Sequence, residues 1–244
     1  MTNKTTEPEL AILDADIIVV RAACWADSKG ANEEELRERI AFDVNQWTPT
    51  FCTQHICAVS CKSADNFRLG IYPEYKANRR GKTPPVNLPL ARDIMECEHP
   101  VVRRDRLEAD DLMGLGMSSG LACAVSLDKD MLSVPGWLWN PDKMCFPMHI
   151  DQESADRNFV KQWLMGDTTD NIKGANKVGP VKAGKIVDES SYENLVPAAL
   201  AEFERRGHDL EYALLQARLV RILRDGEYDR ETGDITLWEP SFLD

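Results

Sequence analysis

The first apolar run, residues 10–13, is too short for a helix and stops at Asp14, so it predicts a buried strand. Residues 17–25 continue as a helix or as a second extended run. Asn32 lies three positions before Glu35, a spacing at which each side chain can satisfy the other's free backbone N–H, and a helix from there to about Trp47 is expected. Residues 55–60 read as strand, 84–97 as a proline-opened helix, and 108–119 as a helix preceded by a short extended stretch around Val101. The clearest buried strand is 121–127. A hairpin follows over 137–150, then helices near 153–165, 181–188, 192–206 and 209–225.

Strands alternating with helices over residues 1–150 predict an α/β fold, a mostly parallel central sheet with helices on both faces. Residues 151–244 then form a helical region. The stretch 77–89 is the one place rich in Pro, Gly and charge, and is expected to be exposed and mobile. The aromatics Trp137, Trp139, Phe146 and Trp163 fall among apolar neighbours and read as core or hairpin packing.

A composition of 43% hydrophobic and 29% charged residues describes a soluble globular chain. The apolar run after the polar first ten residues is interrupted by Asp14 and Asp16, so neither a signal peptide nor a membrane span is expected. Seven cysteines with no Cys-x-x-Cys pair fit a reducing cytoplasm and argue against zinc. A net charge of −12 argues against a nucleic-acid partner only if the charge is spread evenly. It is not: Lys76, Arg79, Arg80 and Lys82 form one basic patch without an acid, and Lys173, Lys177, Lys182 and Lys185 form another.

The acids are clustered too. Asp14 with Asp16, and Asp128 with Asp130, follow predicted strands at their carboxyl ends, where parallel sheets place their ligand crevice. In an extended loop, residues two apart point the same way, so each pair can aim two oxygens at one point. An Asp in such a place also serves as a helix cap, which needs no ligand. Glu108, Asp110 and Asp111 open a helix, where acids complement the dipole; Glu108 and Asp111 share a face while Asp110 diverges. Asp167 and Asp170 stand three apart after an apolar turn. Four clusters supply more carboxylates than one magnesium ion takes, which implies two hard-metal sites. Without histidine or cysteine among the clusters, magnesium or manganese is favoured. Two such ions recur in phosphodiester hydrolysis.

In this order the motifs resemble those of the flap-endonuclease-like 5′-to-3′ exonucleases, the family of bacteriophage replication exonucleases and the nuclease domain of bacterial DNA polymerase I. The resemblance covers residues 10–225. Asp14 followed by Arg21 is similar to the family's first aspartate and its arginine. The octapeptide from Tyr72 through Tyr75, Lys76 and Arg79 resembles the segment leading into the family's helical arch, with its stacking tyrosine and its lysine and arginine at the scissile phosphate. Glu108-Ala109-Asp110-Asp111, the pair Asp128 and Asp130, and the pair Asp167 and Asp170 match the acidic motifs in turn. The segment from Lys177 through Gly179 to Ala183 resembles the helix-hairpin-helix that grips duplex DNA.

The resemblance implies a PIN-like nuclease core with a helical arch over about 77–99 and a helix-hairpin-helix over about 171–188. It implies a cytoplasmic, phage-type replication nuclease, at work on DNA with a 5′ end in duplex, nick or flap, with no membrane and no organic cofactor. Glu108, Asp110, Asp111, Asp128, Asp130 and Asp14 would hold one magnesium ion; Asp167 and Asp170, with Asp128 or Asp130, would hold another; manganese would substitute, and a potassium ion would sit at the hairpin. Lys76, Arg79, Arg21 and Tyr75 would be catalytic. Tyr72, Arg80, Lys82, Lys173, Lys177, Gly179, Lys182 and Lys185 would meet DNA.

Two positions depart from the pattern. Cys61 stands where the family usually has an aspartate six residues before Phe67-Arg68, and a thiol is a poor match for magnesium. Asp16 is an extra acid where the family typically has none, and it and Asp65 are the acids available in place of the missing one. Cys61 keeps open a second reading, a catalytically inactive binder of branched DNA. A haloacid-dehalogenase-like phosphatase also begins with strand-Asp-x-Asp, but it leaves the tyrosine-lysine-arginine segment and the basic hairpin unexplained.

Overall fold

The computed structural model describes residues 7–241. Six strands form one sheet: β1 (Leu10–Asp14), β2 (Gln54–Ala58), β3 (Val101–Val102), β4 (Ala122–Val125), β5 (Gly136–Trp139) and β6 (Met148–Ile150). They are ordered β3-β2-β1-β4-β5-β6, and neighbours run parallel except β5 and β6, which make the antiparallel hairpin expected over 137–150. The chain builds outward from β1 on one side and from β4 on the other. A crevice therefore opens at the carboxyl ends of these two strands, where the order reverses.

The run at 17–25 is settled as helix. α1 (Ala15–Lys29) buries Ala15, Ile18, Val19, Ala22, Ala23 and Ala26, a stripe at helical spacing, and Asp14 caps its start. α2 (Glu33–Trp47) opens with the reciprocal Asn32 and Glu35 bonds. These two helices and α4 (Leu88–Glu98) cover one face of the sheet, packing on Ala11, Leu13, Cys57, Cys123 and Val125. The short α3 (Phe67–Ile71) and α5 (Ala109–Ser118) lie with the other face, where Ile12, Ala58 and Ala124 meet Phe67, Leu112 and Met113.

Four further helices follow: α6 (Gln152–Met165), α7 (Pro180–Glu189), α8 (Leu195–Arg205) and α9 (Leu210–Val220). They share a separate core around Trp163 and Phe203, which Tyr75 joins. Beyond α9 the chain turns back: Ile222 and Leu223 pack with α5, and Trp238 meets the rings of Phe159 and Trp163 at 5.1 and 5.5 Å.

Three expectations are corrected. The helix expected from residue 84 begins at Leu88, because the N–H groups of Val86 and Asn87 donate to Asp27 at 2.7 and 3.1 Å and hold the preceding backbone in a loop. Of the helical arch expected over about 77–99, residues 77–87 contain one 3₁₀ turn, Ala77–Arg79, and the helix that follows, α4, packs on the sheet. Phe146, read as packing, is 80% exposed. Among the described residues no helix is long and apolar enough to cross a membrane, and all seven cysteines are free.

Candidate active site

The crevice between β1 and β4 is lined by acids. Asp14 ends β1 and is buried at 2% exposure; its Oδ1 accepts the Ile17 N–H at 3.1 Å, and its Oδ2 accepts the Ser126 hydroxyl at 2.7 Å. Ser126 in turn accepts the Asp128 N–H at 3.0 Å, and Asp128 accepts the Asp130 N–H at 2.9 Å, so the loop after β4 is wound tightly against the end of β1. Asp14 and Asp128 are thus caps as well as site residues, and the two roles share one geometry.

Charge repulsion shows which acids share space. Burial first, then the charges of Asp16 and Asp128, push the Asp14 carboxyl up to about 7 against the opposing Ser126 bond. Asp110 is pushed well above the carboxylate range by burial and by Asp14, Asp128 and Glu108. Asp130 is raised to about 7 by burial, Asp128, Asp167 and Asp170. Two overlapping groups emerge, Asp14–Asp110–Asp128–Glu108 and Asp128–Asp130–Asp167–Asp170. Carboxylates desolvated together with so few cations are the environment a divalent ion neutralises, and an all-oxygen donor set suits a hard one. Among the described residues no three such side chains already meet at one ion-sized point. The acids therefore fit metal ions by the chemistry of their oxygens.

The tyrosine-lysine-arginine segment borders both groups. The Tyr75 hydroxyl donates to Glu108 at 2.7 Å, with Asp170 Oδ2 3.3 Å away; its ring is buried, and that of Tyr72 is half-buried. Lys76, in the left-handed region at φ 55°, pairs with Glu108 and lies 3.5 Å from Asp170, and Arg79 pairs with Asp170. Burial pushes the Glu108 carboxyl up, but Lys76 and Arg68 outweigh it and hold it down at about 2. Arg80 and Lys82 are exposed. Under this segment lies a cleft of about 980 Å³ whose lining includes Asp16, Cys61, Arg80, Arg92 and Arg103.

Not every expected residue joins the cluster. Arg21 pairs with Asp142 at 3.0 Å and lies over the Trp47 ring, with no acid of the cluster among its partners. Asp65 is exposed on a 3₁₀ turn, and Asp16, whose Oδ2 accepts the Ser60 N–H at 3.3 Å, lines the same cleft as Cys61. Asp111 is fully buried against Arg68. Ser126 and Arg68 are the residues the sequence reading passed over; the signals were a hydroxyl two positions before Asp128 and an arginine within an otherwise apolar turn.

The basic hairpin lies between α6 and α7. Gly166 and Gly174 both have positive φ, at 69° and 62°, and a side chain on either would strike the other's backbone, so only glycine closes this turn. Lys177 and Lys185 are exposed, as is Lys173, whose ammonium donates to Asn171 at 2.7 Å; Lys182 is tethered to Glu202 at 3.0 Å, and Gly179 caps α7 with open space around its Cα.

The switch point of the sheet thus carries a dense carboxylate cluster, bordered by a cationic strap at residues 76–87 and by a basic helical hairpin. No protein-family model matches the chain. It is 27% identical over 209 residues to the exonuclease of Escherichia phage T7, covering 69% of this chain and 68% of that protein. It is 25% identical over 218 residues to DNA polymerase I of Rhizobium leguminosarum, covering 78% of this chain but only 20% of the polymerase. Its fold matches a bacteriophage T5 flap endonuclease crystallised with DNA and metal ions, with a TM-score of 0.59 at 16% identity over 86% of this chain and 88% of that one. In sequence it is similar to a phage exonuclease and to a bacterial DNA polymerase I, and in fold to a phage flap endonuclease.

Proposed function

We propose that this chain hydrolyses DNA phosphodiesters at or near a 5′ end, as a nuclease dependent on divalent metal ions. The observation that carries the reading is the pair of overlapping, mutually repelling carboxylate groups at the β1–β4 crevice, with Lys76 and Arg79 at their border. The relatives support it: one is named an exonuclease, and another is a flap endonuclease crystallised with DNA and metal ions.

Asp14, Glu108, Asp110 and Asp128 would hold one ion, and Asp130, Asp167 and Asp170, with Asp128 shared, would hold a second; magnesium fits the oxygen-only set. Such ions supply Lewis-acid chemistry at the phosphoryl group. The chain's own residues do the rest. Lys76 and Arg79 stand where charge builds on the phosphate and offset it. Tyr75 holds Glu108 through its hydroxyl and borders Asp170. Tyr72, Arg80 and Lys82 border the route of an unpaired 5′ strand, which stacking and phosphate contacts would hold. Lys173, Lys177 and Lys185, with the open backbone at Gly179, grip duplex phosphates without reading sequence.

The test is cleavage of a 5′-labelled flap duplex and a 5′-labelled blunt duplex in magnesium and in chelator, with Asp130→Asn as control. Release of 5′ fragments in magnesium alone, lost in Asp130→Asn, establishes the activity. Lys76→Ala is expected to slow cleavage by about 100-fold or more, the scale for removing one group that stabilises transition-state charge; an unchanged rate would remove Lys76 from the mechanism. Binding of the flap without cleavage would instead favour the inactive branched-DNA binder, the reading that Cys61 supports.

A further inference from the structure

Arg68 is 3% exposed, and every one of its N–H directions meets an acceptor. Nη1 and Nη2 each donate to Asp111 at 2.7 Å, and Nη1 also reaches Glu108 at 3.4 Å. Nη2 donates to the Arg221 carbonyl at 2.6 Å and Nε to the Leu219 carbonyl at 3.1 Å, so the guanidinium also caps the carboxyl end of α9. Asp111 is equally saturated. Besides the guanidinium it accepts the Glu108 N–H at 3.1 Å and the Leu223 N–H at 3.2 Å, which leaves no oxygen free for a cation.

A buried ion pair of this kind is weak evidence for stability, but a forked arginine on a carboxylate tolerates one geometry. What it joins therefore matters. On one side is the start of α5, which carries Glu108 and Asp110. On the other is the end of α9, and four residues before that end stands Gln216, 2% exposed. Its Oε1 accepts the N–H of Lys173 at 3.0 Å and of Gly174 at 2.9 Å, the base of the basic hairpin. Tyr212, one turn earlier, donates its hydroxyl to the Gly174 carbonyl at 3.2 Å. A line of buried and half-buried polar contacts thus runs from the hairpin through α9 to the acids.

We propose that Gln216, α9 and the Arg68–Asp111 pair form a rigid spine that sets the distance between the duplex grip and the acids, and thereby selects which phosphodiester is cut. These are positioning residues. The proposal rests on the nuclease reading above and adds the determinant of its cutting register.

The experiment maps the cut at nucleotide resolution on a 5′-labelled synthetic flap duplex in magnesium. Gln216→Met keeps the volume and removes the acceptor, and is expected to spread a single cut over adjacent phosphodiesters; Gln216→Glu, which still accepts both N–H groups, is expected to keep the parent position. Arg68→Lys keeps the charge and loses the fork, so it approaches the spine from the other end and is expected to spread the cut as well. Thermal melting identifies which variants are folded. A folded Gln216→Met or Arg68→Lys that cuts at the parent position in the parent proportions, whatever its rate, overturns the proposal. No cleavage by the parent protein in magnesium is a different failure, that of the nuclease reading itself, and takes the register proposal with it.

Discussion

The Ser126 hydroxyl donates to Asp14 at 2.7 Å, although the two residues lie 112 positions apart, and this bond ties the loop after β4 to the end of β1. It is a contact that favours the charged form of a carboxyl which burial pushes up to about 7. Ser126→Ala leaves Asp14 in place but removes that support. Magnesium affinity is expected to fall by about 10- to 100-fold, the usual effect of losing a hydrogen bond to a metal-binding side chain, and Ser126→Thr is expected to retain it. Calorimetric titration of magnesium into both variants decides; equal affinity in Ser126→Ala and parent would mean that Asp14 does not hold the ion.

The raised acids also predict a pH dependence. Asp14 and Asp130 have folded values of about 7, above the ordinary value of 3.8, so between these limits the folded chain binds more protons than the unfolded one. Stability of the metal-free protein contributed by these groups is therefore present at low pH and lost as pH rises toward 7. Magnesium binds the deprotonated form and restores it, releasing protons as it does so. The gap in melting temperature between magnesium and chelator is expected to widen from about pH 5.5 to about pH 7.5, with binding heats that depend on the buffer's ionisation enthalpy. A gap constant with pH would contradict the assignment of these carboxyls to the ions.

What the chain disclosed before folding was local. The Asn32 and Glu35 box, the strand ending at Asp14 and the acids opening α5 depend on neighbours three or four positions away or on the period of one element, and these appear in the structure as expected. Partners far apart in sequence stayed hidden: Arg68 and Asp111 are separated by 43 positions, and Gln216 and Gly174 by 42. The resemblance makes Asp111 a metal ligand, and only the fold shows that a guanidinium occupies both its oxygens. In the same way a proline rule starts α4 at residue 84, while Asp27, on another helix, delays it to Leu88.

Cys61 offers a direct test of the departure from the family pattern. It is 9% exposed beside the acids, its N–H donates to the Leu107 carbonyl at 2.8 Å, and burial with the charges of Glu108, Asp65 and Asp111 pushes its thiol up to about 11. It is a neutral, soft group at neutral pH. Cys61→Asp adds a buried carboxylate to a cluster already short of cations, so the metal-free variant is expected to lose about 3–5 kcal/mol, the range for leaving a buried charge uncompensated. Magnesium is expected to recover more than that loss, and cleavage at low magnesium to rise above the parent. The melting temperature with and without magnesium reads both halves; a variant destabilised equally in both conditions would show that position 61 does not face the ions.

The strap over the 980 Å³ cleft is held at both ends. At one end the Lys76 N–H donates to the Asp170 carbonyl at 2.9 Å and Asn78 reaches the Thr168 carbonyl at 2.5 Å. At the other, Asp27 on α1 accepts the N–H groups of Val86 and Asn87 and the Asn87 side-chain amide at 2.7 Å, contacts that hold its carboxyl below the ordinary range despite full exposure. Asp27→Ala frees only the second end. Because the bonds are exposed, global melting is expected to stay near the parent value. Trypsin should find Arg79, Arg80 and Lys82 sooner, since cleavage follows local opening rather than global unfolding. If the strap must close over an unpaired 5′ strand, Asp27→Ala will also weaken binding of a flap more than binding of a blunt duplex, and adding a flap will slow the trypsin cut in the parent. Equal trypsin rates in parent and variant would show that Asp27 does not hold the strap.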